Sequence, residues 1–125
     1  MKRILIVDDD PDIRDVTRVA FQVFTAWGAG LAGSGAEALE VLQKEAYDAI
    51  LLDVSMPDMD GFSVFDRLQS DPLTRDIPVI LLTAKVLASD RERFARMKIA
   101  GVITKPFDPV GLPKRVAALL GWEIS

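Results

Sequence analysis

Four short apolar runs, Ile4 to Val7, Ala49 to Leu52, Val79 to Leu82 and Val102 to Ile103, punctuate the chain. The first three are continuous rather than alternating, the pattern of strands buried on both faces. The stretches between them have helical period and recognisable openings. Asp10-Pro11 stands before Ile13, Val16, Ala20 and Phe24, and Ser34 with Glu37 forms a capping box before Leu39 and Leu42. Asp60-Gly61 precedes Val64, Phe65 and Leu68; Ser89 with Glu92 precedes Phe94 and Met97; Asp108-Pro109 precedes Val116, Leu119 and Leu120. Strand and helix thus alternate five times. That alternation predicts an α/β fold: a doubly wound, five-stranded parallel sheet with right-handed crossovers and five helices on its two faces.

The second strand must fall near Ala29 to Ala32, and only the alternation predicts it, because glycines replace the branched residues a strand favours. Gly28, Gly30 and Gly33 also spell G-x-G-x-x-G. A dinucleotide fingerprint follows the first strand and opens its helix, whereas here a helix precedes the glycines, so edge-strand packing is the better account.

Composition narrows the picture. A chain of 125 residues can bury one sizeable core, so residues 1–125 are expected to form a single domain without a linker. Half of the residues are hydrophobic, too many for a disordered chain. Nineteen acids against fifteen bases give a net charge of −4, the wrong sign for neutralising a nucleic-acid backbone. There is no cysteine, hence no disulfide framework or thiolate metal site, and no histidine for acid/base work. Met1 to Val7 falls short of a signal peptide and no apolar run reaches membrane-spanning length. A cytoplasmic protein with no membrane insertion is expected.

Open parallel sheets bind ligands at the carboxyl ends of their strands, and the residues expected there are coherent. Strand one ends in Asp8-Asp9-Asp10, strand three in Asp53, strand four in Thr83 and strand five in Lys105. Gathered carboxylates repel one another and have raised pKa values unless a cation lies among them. With oxygen donors only, the natural cation is magnesium. A lysine and a threonine beside it suit phosphate oxygens, and a carboxylate can itself be the nucleophile of phosphoryl transfer. Asp53 is the best placed nucleophile. Asp10, followed by Pro11, reads as a helix cap rather than a ligand, and Asp58 and Asp60 as the turn into helix three. The basic residues Arg91, Arg93, Arg96 and Lys98 read as a solvated face, and Trp27 as core or edge packing.

The segments ILIVDDDP, AILLDVSMPDMDG, VILLTA and ITKPF, in that order over nearly the whole chain, resemble the response regulator receiver family. The resemblance implies a flavodoxin-like receiver fold with strand order 2-1-3-4-5, an order for which a chemotaxis receiver is a standard example. It implies that Asp53 is the phosphoacceptor, that Asp8 and Asp9 hold Mg2+ with Asp53, and that the Ser55 backbone carbonyl completes that site. Thr83 and Lys105 match the phosphate-contacting pair, and Pro106 the proline that a cis peptide usually precedes. The implied partner is a sensor histidine kinase or a histidine phosphotransfer protein, with a downstream protein target that the sequence does not name. The domain is expected to stand alone or to be the front of a longer regulator.

Receivers often carry Tyr or Phe three residues before the lysine; this chain has Val102. A switch is then expected to work through Thr83 and the backbone from Lys85 to Ser89, with Ser55 and Lys85 flanking the phosphate's entry path. Pro113 is expected to distort the start of helix five. Two other function classes fit less well. Aspartate-nucleophile phosphatases resemble D-x-D with a second Asp as general acid; after Asp53 that position is Ser55, while Asp8 and Asp10 fit the pattern without the family's other features. A degenerate, phosphorylation-independent docking module would not fill all five strand-end positions.

Overall fold

The structure is a computed structural model that describes residues 2–84 and 88–123, without the side chains of Ala88 and Ser89. Strands and helices alternate as β1 (Arg3–Val7), α1 (Pro11–Phe24), β2 (Gly28–Ala32), α2 (Gly35–Lys44), β3 (Ala49–Asp53), α3 (Gly61–Ser70), β4 (Val79–Thr83), α4 (Ala88–Arg96), β5 (Gly101–Thr104) and α5 (Leu112–Leu120). The five strands are all parallel in the order β2-β1-β3-β4-β5. No described helix is long and apolar enough to cross a membrane.

Continuous apolar strands follow from this layout, since each central strand feeds two cores. Ile4, Ile6, Leu51, Ile80, Leu82 and Ile103 point to one face, where Phe21 of α1 and Leu112, Val116 and Ala117 of α5 cover them. Leu5, Val7, Ile50, Leu52, Val79 and Leu81 point to the other, under Leu42 of α2, Phe65 and Leu68 of α3 and Phe94 of α4. Each fully buried Leu or Ile contributes about 1.5–3 kcal/mol relative to exposure, so neither face could be left open. Trp27 packs edge-on against Trp122, with ring centroids 5.0 Å apart, as its expected packing role requires.

Local chemistry fixes the helix starts that hold the site. Asp10 caps α1, its Oδ1 accepting the amides of Asp12 at 2.9 Å and Ile13 at 3.4 Å. Ser34 caps α2 through the Glu37 amide at 3.1 Å, and Glu37 answers on the Gly33 amide at 3.0 Å, one residue earlier than a standard capping box. Asp60 caps α3 through the Ser63 amide at 2.8 Å. α4 runs from Ala88, one residue ahead of the Ser89 expected to open it.

The expected opening of helix five at Asp108-Pro109 is corrected. Asp108 Oδ1 accepts the Val110 amide at 3.1 Å in a local turn, and the helix begins only at Leu112. Pro113 therefore sits in the first turn, where its missing donor has no helical partner to lose, and α5 is not distorted by it.

Candidate functional site

Register alone gathers the strand-end residues. Val7 pairs with Leu52, Asp53 with Leu82, and Thr83 with Thr104, so Asp8, Asp53, Thr83 and Lys105 lie side by side along one edge of the sheet. Asp8 is fully buried. Its Oδ1 accepts the Asp10 amide at 3.0 Å, and its Oδ2 accepts from Lys105 Nζ at 2.7 Å. Asp53, 3% exposed, takes the Ser55 amide on Oδ1 at 3.0 Å and faces Lys105 Nζ through Oδ2 at 3.4 Å. Asp9 is exposed, yet Asp8, Asp9 and Asp53 each offer a carboxylate oxygen within 4.8 Å of the others. Thr83 is buried beside them, and its carbonyl accepts the Lys105 amide at 2.7 Å. The peptide between Lys105 and Pro106 is cis, as expected.

The electrostatics are those of a site short of positive charge. Burial pushes the Asp53 carboxyl above its ordinary range; the Ser55 amide pulls the other way, the Asp8 charge raises it further, and Lys105 lowers it. For Lys105, burial works against the ammonium, but the bond to Asp8 and the charges of Asp53 and Asp8 outweigh it and raise its pKa. Lys105 is therefore a fixed cation. Three carboxyl groups meet this one ammonium, an excess of acidic groups that a divalent ion would offset. The donors are all oxygen, which suits a hard cation that keeps several waters.

Asp10 is not in the cluster and serves α1 as its cap, as expected. Ser55 joins the site through its backbone, its side chain being exposed. Val102 stands in β5 opposite Leu81, half-buried. Lys85 and part of the expected switching segment from Lys85 to Ser89 lie outside the described residues.

Two contributors were not legible in the sequence. Arg14 Nη1 donates to the Asp8 carbonyl at 2.7 Å, bracing the end of β1 from inside α1. Asp58 lies in the bend before α3, as expected, and also gives its carboxylate to the amides of Gly35 and Ala36 at the start of α2. Both are contacts between separate elements, and no local spacing announces them.

Comparison with known proteins agrees with this fold. The family described as response regulator receiver domain matches residues 4–117. The response regulator PleD of Caulobacter vibrioides is 39% identical over 98% of this chain, which spans only 27% of PleD. The chemotaxis protein CheY4 of Vibrio cholerae superposes with a TM-score of 0.87 at 28% identity, over 95% of this chain and 98% of that one. The receiver domain of the sensor histidine kinase PA1611 from Pseudomonas aeruginosa, solved with magnesium in its active-site cleft, gives 0.82 at 28% identity over 96% and 98%.

Proposed function

The chain belongs to the response regulator receiver family, the phosphoacceptor domains of two-component systems, and from that premise we propose that Asp53 is its phosphoacceptor. The observation that carries this reading is the Lys105 ammonium, 2.7 Å from Asp8 and 3.4 Å from Asp53, in a cluster of three carboxylates. Asp8, Asp9 and Asp53 would hold Mg2+ together with the Ser55 carbonyl. The bound ion would neutralise charge on the transferring phosphoryl group.

Asp53 acts as the nucleophile. One of its oxygens forms a bond to phosphorus as the phosphorus–nitrogen bond of a donor phosphohistidine breaks, and the imidazole leaves with that electron pair. Lys105, already reaching Asp53, neutralises a phosphoryl oxygen, and the Thr83 hydroxyl donates to another. The Ser55 amide keeps Asp53 aimed by holding its Oδ1. Residues 1–125 work as one receiver unit that catalyses at most its own phosphorylation and dephosphorylation. Ser55, two residues after Asp53, cannot serve as the acid of a turnover phosphatase.

The donor is a sensor histidine kinase or histidine phosphotransfer protein. An apolar furrow beside the site supports a docked protein. It starts at Ala84, Lys105 and Phe107 and passes Val16 and Pro109 toward Val23 of α1. The downstream target is a protein bound in a phosphorylation-dependent way, and the net charge of −4 disfavours direct contact with nucleic acid.

Incubation with Mg2+ and a small acyl phosphate, read by mass spectrometry, tests the assignment. One added phosphoryl group is expected on the wild-type chain and none on Asp53→Ala. Persistence of the label in that variant would overturn the assignment.

A further inference from the structure

The loop between β3 and α3 carries Ser55 and is pinned at three places. At its base the Gly61 amide donates to the Val54 carbonyl at 3.1 Å, so closely that a Cβ on residue 61 would lie 2.6 Å from the Asp53 carbonyl oxygen. In its middle, Met56 is buried and Met59 packs against the core under α2 and α3. Its outer end is held by Asp58. The Gly35 amide donates to Asp58 Oδ1 and the Ala36 amide to Oδ2, both at 3.2 Å.

The tie uses first-turn amides of α2 that its local capping leaves open. Ser34 takes the Glu37 amide and Glu37 the Gly33 amide, whereas the Gly35 and Ala36 amides go to Asp58, 23 and 22 positions away. The same two bonds also tie the loop, which has to hold Ser55 against Asp53 although Asp58 itself stands in solvent. The helix start favours an anion there, and its amides, Ala36 first, hold the Asp58 carboxyl below the usual carboxylate range.

We propose that Asp58 is a positioning residue for the metal and phosphoryl site: by clamping the loop to α2 it fixes the Ser55 main chain, without touching the metal or the phosphoryl group. This inference rests on the function proposed above. It adds a residue on an otherwise exposed turn, and it makes the start of α2 part of the support of the site.

The test is a Mg2+ titration of the full chain followed by backbone amide chemical shifts, with urea unfolding run alongside. Asp58→Ala is expected to bind Mg2+ about tenfold more weakly, the loss typical of a group that orients a metal ligand. The Ser55 amide should shift before any metal is added. Asp58→Asn keeps an oxygen for one of the two amides and should lose less. Ser34→Ala removes a hydrogen bond from the same helix end without loosening the loop, and should keep the wild-type affinity.

Wild-type affinity in folded Asp58→Ala would overturn the proposal. So would equal weakening in Ser34→Ala and Asp58→Ala, because helix stability alone would then account for both. If Asp58→Ala does not fold, Asp58→Asn decides, and unchanged affinity with an unmoved Ser55 amide counts against the proposal. A wild-type chain indifferent to Mg2+ would instead overturn the site reading itself, and this inference with it.

Discussion

The role proposed for Asp53 requires an anion, and the residue is held where burial and the Asp8 charge oppose ionisation. An acid whose pKa is higher in the folded chain than its ordinary 3.8 binds its proton more readily when folded. Stability is then greatest while Asp53 is protonated and falls as pH rises from about the ordinary value through the raised one. Asp53→Asn removes that ionisation. In the absence of divalent cations it should be more stable than wild type at pH 7, with the gap closing as the pH is lowered toward the ordinary carboxylate range. Urea unfolding midpoints across that range check this; a gap independent of pH would show that ionisation is not its cause. The acids were readable from sequence because each follows an apolar run and so must emerge at a strand end. Arg14 and Asp58 were not, since each acts on a neighbour that only the assembled fold brings near.

The hardest element to read was β2, whose glycines argue against a strand when propensity is considered alone. Packing explains the central one, Gly30. A Cβ on Gly30 would lie 2.7 Å from Cζ of Tyr47, whose ring also carries the Arg3 guanidinium 4.5 Å from its centroid. The strand is built to pass under a buried ring, which no pattern within residues 28–32 could reveal. Gly30→Ala should therefore cost about 1–3 kcal/mol, the range for overpacking a close-fitted site. Most of that cost should vanish in a Tyr47→Ala background, because the two changes meet at one contact. Denaturant unfolding of the four species of this cycle checks the coupling, and additive effects would place the strain elsewhere. At the other end of the chain, α5 begins three residues later than Asp108-Pro109 suggests, because that pair resembles a helix opening and forms an isolated turn instead.

Across the whole molecule, the alternation of elements was enough to predict a parallel sheet, and a parallel sheet was enough to pool the strand-end residues at one edge. Strand order was not legible in periodicity, because hydrophobic pattern reports which faces a strand buries and not which strand lies beside it; only family resemblance supplied it. Nor could pattern reveal which apolar residues remain uncovered. Val16, Val19 and Val23 fall on the same side of α1, are 45%, 46% and 66% exposed, and join Val110 in the furrow that ends at Lys105. Such a face next to the proposed phosphoacceptor fits a donor protein that would bring a phosphohistidine to Asp53, whereas a small acyl phosphate needs no such surface. A charge at the middle of the furrow should separate the two donors. Val19→Lys is expected to keep its stability and its labelling by the small donor, since the side chain is exposed and lies away from the strand ends. Its labelling by a phosphorylated histidine kinase or phosphotransfer protein that serves the wild-type chain should fall about tenfold or more, the effect of losing roughly 1.4 kcal/mol or more of docking energy. Equal rates from the protein donor would remove the furrow from the docking surface and leave the chemistry at Asp53 untouched.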